Sequence, residues 1–362
     1  MKKLFILFIV LINFISTDCR AISAKSAVLI DSASGRVLYE HNAYEKLPMA
    51  STTKIMTGLL ACESGKLNKT VKASAVASGT EGSSLWLKIG EKQTLENLTY
   101  GLMLKSGNDA AVAIAEFLGG NIDSFAILMT EKARKIGAVN TNFKNPHGLD
   151  ADGHYTTAYD LALIAREAMK NEKFRKIVST QNYSIPMEGE TWDRALKNHN
   201  KMLWMYDGCN GIKTGYTKKC GRCLVTSAQR DGIELICVTL NASDDWNDHK
   251  YLLDYGFSSH TAKKVINKGE KLAKLVYDKK NNKSVMLAAK DSFSVTVKEG
   301  DVLELKTNLT GVSAPAKKGT VCGTAEIFCN GEKIGSVELV TEKSIKKTGF
   351  FEKFIMKLKK LF

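Results

Sequence analysis

The 362-residue chain predicts an α+β fold, in which an antiparallel sheet carries packed helices and is followed by a small all-β domain and a terminal amphipathic helix. Three observations carry this expectation. Strand signals stand at both ends of the first 257 residues around a helical centre, which suggests one sheet built from distant segments. Composition changes after Phe257, where lysine, valine and spaced glycines take over. The final stretch places apolar residues at helical spacing among lysines. With 44% hydrophobic and 25% charged residues the balance is that of a globular protein, long enough for one large domain and one small one.

In chain order, Met1 to Ser23 opens with Lys2 and Lys3, runs apolar from Leu4 to Ile15 and turns small and polar towards Ala24. This is the layout of a secretory signal, too short for a comfortable membrane span, with an uncleaved anchor as the alternative. Asp18 argues against a lipid anchor at Cys19, because such signals want a small residue there. From Ala27 a strand, a turn at Ser34-Gly35 and a second strand through Val37, Leu38 and Tyr39 form a hairpin. Helical periodicity dominates Ala50 to Lys176, as in Ala110, Ile114, Phe117 and Leu118, and again in Leu161, Ile164, Ala165 and Met169. Strands return from Gly211 to Leu240, with alternation in Cys223 to Ala228, a turn at Asp231-Gly232 and an apolar run from Leu235.

Residues 24–257 therefore read as one domain and 258–343, with short alternating segments such as Phe293 to Val297, as the small all-β domain. Segment 344–362 carries six lysines and one glutamate. Its Phe350, Phe351, Phe354, Ile355, Leu358, Leu361 and Phe362 line one helical face, the pattern of a helix lying in a membrane interface; the alternative is a helix docked on the protein's own core. The formal charge of +14 suits an anionic membrane or wall polymer, and no nucleic-acid module is visible. Without Cys19 an odd number of cysteines remains, so no disulfide framework is prescribed. Cys220 and Cys223 form a C-x-x-C without a second such pair or an H-x3-H, and read as buried thiols or one incidental disulfide in preference to a metal or redox site.

Three motifs carry chemistry: Ser51-Thr52-Thr53-Lys54, Ser106-Gly107-Asn108 and Lys213-Thr214-Gly215. Pro48 precedes the first, and Ile55, Met56, Leu59 and Leu60 follow at helical spacing, so Ser51 is expected in the first turn of a helix with Lys54 one turn on. A serine hydroxyl needs a neighbouring base. Lysine serves only when burial or nearby positive charge lowers its pKa, and Lys213 would supply that charge. The amide of Ser51, at a helix start, and that of Tyr216 are placed to hold an oxyanion. Ser106 and Asn108 would relay a proton to the leaving amine and hold Lys54. Lys213 and Thr214 would bind a terminal carboxylate, with Gly215 and Tyr216 completing the substrate-binding set, which makes the expected activity that of a carboxypeptidase. Single motifs are cheap here: Ser344 to Lys347 is another S-x-x-K and Lys347-Thr348-Gly349 another K-T-G. Those copies share a lysine and lack an S-x-N partner.

Beyond the trio, Ile30 to Asn42, Ala50 to Thr57, Gly101 to Glu116, Asn145 to Leu149 and Gly211 to Ala228 resemble the low-molecular-mass D-alanyl-D-alanine carboxypeptidases, and the resemblance runs nearly end to end. It implies a penicillin-recognising (β-lactamase/transpeptidase-like) domain, a β-rich C-terminal domain and a membrane-associating helix. It also implies acylation of Ser51 by peptidoglycan stem peptides ending in D-Ala-D-Ala, loss of D-alanine, hydrolysis of the acyl-enzyme, and slow trapping by β-lactam inhibitors, with no metal or organic cofactor. Gly107 and Tyr216 depart from the commonest wording of that family at positions that tune substrate fit. Trp246-Asn247-Asp248-His249, after Asp244-Asp245, resembles a subset associated with spore-forming bacteria. A class A β-lactamase shares the trio but needs an E-x-x-L-N glutamate, which is missing between Asn108 and Lys213. A catalytically silent wall-binding module would have no need of a serine and lysine one turn apart. A Ser-His-Asp triad through His147 and Asp150 is disfavoured because Lys54 already fills the base position, so His147 reads as structural.

Overall fold

The computed structural model describes residues 22–187, 189–278 and 283–346. Nearly all of the predicted signal, residues 1–21, and of the terminal helix, residues 347–362, lies outside the described residues. Five antiparallel strands form the main sheet in the order Val37–His41, Ser26–Asp31, Ile233–Ala242, Gly221–Arg230 and Cys209–Thr217. The N-terminal hairpin thus adds to the later strands through Ser26–Asp31 beside Ile233–Ala242, with Ala27 opposite Thr239 and Leu29 opposite Cys237. This is the one sheet expected from strand signals at both ends of the segment.

Side chains along these strands alternate between two cores. Val28, Ile30, Ile236 and Val238 join the apolar cluster of the helical middle, while Ala27, Leu29, Leu235 and Cys237 join a second cluster with Leu252 and Leu253 of the helix Asp245–Ser259. Both faces are covered, and that is why Leu235 to Leu240 reads as an apolar run and not as strict alternation. A two-residue turn at Asp231-Gly232, both with positive φ, joins Arg230 to its partner Ile233. Helices of the middle layer begin at side-chain caps: Thr94 accepts from the Asn97 amide, Asn121 from Ser124 and Thr157 from Asp160.

The C-terminal strands Lys271–Asp278, Lys283–Ala289, Glu332–Thr341, Val321–Cys329 and Leu303–Leu309 make a second five-stranded sheet in that order, and Thr261–Ile266 pairs with Phe293–Val297. Leu287, Val295, Ile327 and Leu339 fill its separate core. The two parts meet at Arg36, which donates to Asp301 Oδ2 at 2.6 Å and Oδ1 at 3.0 Å and to the Thr296 carbonyl at 3.1 Å. Beside it, Thr296 Oγ1 donates to Asp31 Oδ1 at 2.9 Å.

The structure differs from expectation in three places. The helix Asp245–Ser259 runs past the predicted boundary at 257, and the next strand starts at Thr261. Ser344 does not open a helix: Ile345 pairs with Ala316 and is buried in the β core, and Ser344 Oγ accepts from the Lys318 amide at 3.0 Å. Any amphipathic helix therefore begins after Lys346. Two small two-stranded sheets, Thr70–Lys72 with Lys92–Thr94 and Asn182–Pro186 with Asp193–Lys197, were invisible because their strands are short and mostly polar.

Candidate active site

Ala50–Thr53 forms a 3-10 turn, and the α-helix Lys54–Glu63 begins only at Lys54. Ser51 is therefore a turn ahead of the α-helix and not inside its first turn. The cause is local: Ala50 has φ 47, a left-handed value that stops the helix from extending upstream. Three residues per turn in a 3-10 segment eclipse positions i and i+3, which sets Lys54 Nζ 2.9 Å from Ser51 Oγ. Gly148 packs on this turn with φ +91, and a Cβ there would collide with the Ala50 carbonyl and stand 2.9 Å from Thr53 Oγ1. Only glycine satisfies both the angle and the space.

Lys54 is fully buried, and its amine meets Ser51 Oγ, Asn108 Oδ1 at 2.7 Å and the His147 carbonyl at 2.6 Å. The last two can only accept. A neutral amine would satisfy both with its two hydrogens and leave its lone pair for the serine hydroxyl. Burial, followed by the charge of Lys213, drives the Lys54 pKa well below the ordinary lysine value, against a smaller opposing pull from Asp109. His147 contributes its carbonyl; its ring Nδ1 accepts from the Leu149 amide at 3.1 Å, and burial, then Lys54, pushes its pKa down to about 3. It is a neutral structural group. His154 supports the same turn: its Nδ1 accepts from the Lys144 amide at 3.0 Å, so its Nε2–H donates to Thr53 Oγ1 at 2.8 Å.

Ser106 and Gly107 link the helices Leu95–Leu104 and Asn108–Gly119, and Ser106 adopts φ 63. Asn108 bridges Lys54 to the opposite wall, donating through Nδ2 to the Glu81 carbonyl at 2.6 Å. The adjacent Asp109 is completely buried and accepts from Ser84 Oγ at 2.7 Å, from the Leu85 amide at 2.9 Å and from the Leu87 amide at 3.1 Å. It ties down the loop that carries Ser83 to the cleft.

The third motif lies on the edge strand Cys209–Thr217. Gly215 passes so close to the serine turn that a Cβ would sit 3.0 Å from the Ser51 amide nitrogen. Lys213 is buried, donates to the Thr214 carbonyl at 2.8 Å, and has its pKa lowered to about 7 by burial. Ser51, Ser106, Thr214, Gly215 and Tyr216 line a cleft of about 490 Å³ together with Ser83, His199, Arg222, Asp245 and Trp246. All eight expected residues thus converge: five line the cleft, while Lys54, Asn108 and Lys213 lie beneath it. The five additional lining residues were missed. Ser83 and His199 come from stretches without periodicity or motif, and Trp246 had drawn notice only as part of an unusual tetrapeptide.

A family profile described as D-alanyl-D-alanine carboxypeptidase matches residues 13–244. The chain belongs to this family. A second profile, the C-terminal domain of penicillin-binding protein 5, matches residues 260–347. The D-alanyl-D-alanine carboxypeptidase DacF of Bacillus subtilis is 36% identical, over 90% of this chain and 87% of its own length. DacC of Escherichia coli is 34% identical, over 93% and 88%. Penicillin-binding protein 5 of Haemophilus influenzae superposes with a TM-score of 0.75 at 29% identity, covering 90% of this chain and 98% of that one. As a D-alanyl-D-alanine carboxypeptidase of the low-molecular-mass penicillin-binding kind, the protein is a serine-type hydrolase, with a penicillin-recognising α+β domain followed by a β domain.

Proposed function

We propose that this carboxypeptidase works through an acyl-enzyme on Ser51, with Lys54 as general base. The observation that carries the reading is the Lys54 amine held between two obligate acceptors with Ser51 Oγ as its third neighbour. Neutral Lys54 takes the Ser51 proton as Oγ attacks the carbonyl of the penultimate D-alanine. The amides of Ser51 and Tyr216 receive the oxyanion, at the point where the edge strand crosses the serine turn. Ser106 passes a proton to the departing amine, D-alanine leaves, and water activated by Lys54 hydrolyses the ester. Asn108 positions the base, and buried Lys213 keeps its pKa low. Penicillins enter the same path and stall as acyl-enzymes.

The finer setting is proposed on composition. The N-terminal stretch directs export, residues up to Ser259 form the catalytic unit, Thr261 to Lys346 form the β domain, and segment 347–362 holds the enzyme against the anionic outer face of the cytoplasmic membrane. The decisive assay is D-alanine release from diacetyl-lysyl-D-Ala-D-Ala, with Ser51→Ala alongside. Release that disappears in the variant supports the nucleophile; equal release from both removes Ser51 from the role.

A further inference from the structure

A substrate ending in D-alanine brings a carboxylate into the cleft, and the structure offers a different partner for it from the one the motif suggests. Lys213 is buried and its amine is engaged by the Thr214 carbonyl. Among the described residues lining the cleft, Arg222 is the one lysine or arginine. It stands directly across the strand pair from Tyr216. Thr214 lies two residues from Tyr216 on the same strand, hence on the same face, and such a diagonal separation of roughly 7–8 Å is within reach of a long side chain.

The guanidinium is also held in place. Arg222 lies 2.5 Å from Asp245 Oδ1, and the Trp246 ring centroid is 5.7 Å from the guanidinium carbon. Asp245 is almost wholly buried, whereas the Arg222 side chain keeps 42% of its surface exposed. The contact is short but poorly aligned, because Asp245 Oδ1 has no hydrogen-bond partner. The pair is an ion contact through Nη2, which anchors the guanidinium at one corner of its planar fork.

We propose that Arg222, tethered by Asp245, receives the C-terminal carboxylate of the substrate together with the Thr214 hydroxyl, while Lys213 acts from beneath on Lys54. The assignment rests on the acyl-enzyme reading above. It makes Arg222 a substrate-binding residue and Asp245 a positioning residue, and places recognition of the chain end on the strand after the K-T-G motif.

The test uses two thioesters of one acyl-D-alanine, a thioglycolate whose leaving group bears a carboxylate and an ethyl thioester whose leaving group does not. Both give the same acyl-enzyme, so the ratio of their kcat/KM values isolates leaving-group recognition. Arg222→Ala is expected to lower that ratio about 10–100-fold, the range for a lost hydrogen bond to a charged group. Arg222→Lys should fall between, because it keeps the charge without the fork, and Asp245→Asn should lower the ratio by a smaller factor. Thermal melts of each variant report on folding. Equal losses on both thioesters would mean a structural role and overturn the proposal. An unchanged ratio would do so too, placing the leaving-group carboxylate elsewhere and leaving Arg222 at most a contact to an upstream acid. Wild-type enzyme that hydrolyses neither thioester would remove the acyl-enzyme reading itself, and this assignment with it.

Discussion

Asn108→Asp puts a negative charge where Lys54 now meets an amide oxygen at 2.7 Å. At an effective dielectric of about 20, Coulomb's law gives an attraction of about 6 kcal/mol at that distance. Part of it is offset by desolvation of the new carboxylate, and observed shifts from an opposite charge at this range are about 1–3 pKa units, or roughly 1.4–4 kcal/mol. The sign is fixed: a raised Lys54 pKa lowers the neutral fraction at every pH on the acidic side of the profile. Acylation by a fluorescent penicillin should therefore slow by about 10–1000-fold along the acid limb, and recover as pH rises. The substitution also removes the donor to the Glu81 carbonyl, at a cost of about 1–3 kcal/mol, which a melt taken at one pH would show separately. A rate–pH profile that drops by one factor at all pH values, without moving, would refute the argument that Asn108 tunes the base.

Gly148→Ala should cost about 1–2 kcal/mol for the left-handed backbone and about 1–3 kcal/mol more for overpacking against Ala50, read as a drop in melting temperature. Because that turn carries Ser51, kcat should fall by about 100-fold if the hydroxyl moves by about 1 Å; wild-type turnover would show that the turn is not set by this contact. Burial alone would raise the pKa of Asp301, but the Arg36 hydrogen bond, the Lys298 amide and Asn330 outweigh it and hold the carboxylate well below its ordinary range. The stability it lends is present above its unfolded value of about 3.9 and is lost as pH falls through the depressed folded value. Asp301→Asn should flatten the acid dependence of unfolding below about pH 4, and an unaltered slope would deny the link. A chain ending at Lys346 should lose affinity for anionic vesicles while it keeps D-alanine release; a cut at Val340 would confound the result, since Ile345 belongs to the β core.

Much of the fold was legible because its periodicities are strong. The hairpin at Ser34-Gly35, the helix around Leu161 and Ile164, and the run from Leu235 are each dictated by local pattern. Order and spacing also singled out Ser51, Lys54, Ser106, Asn108, Lys213, Thr214, Gly215 and Tyr216, which the fold brings to one place. What escaped depends on tertiary contact. The 3-10 winding at Ser51 goes with a left-handed Ala50, and the space that this turn needs is left by Gly148, nearly a hundred positions away. Asp109 looks like any acidic residue in a first helical turn until the Leu85 and Leu87 amides close on it. Arg222 lies inside a C-x-x-C that draws attention to its cysteines, and only strand register reveals that it faces Tyr216. Ile345 falls inside the segment read as a terminal helix, because nothing in the tail announces a pairing with Ala316.

All seven cysteines among the described residues are unpaired thiols. Burial pushes the pKa of Cys62 and Cys223 up to about 12 and that of Cys209 to about 11, so at neutral pH they are protonated and poor nucleophiles. Alkylation then has to wait for a segment to open, and its rate becomes a clock for that opening. Cys220 and Cys223 flank Gly221-Arg222 and are buried in the core of the catalytic part, whereas Cys322 and Cys329 lie in the β domain. Mass-resolved alkylation with and without a bound penicillin would therefore time the breathing of each part of the molecule in a single tube, with every reporter already native to the chain.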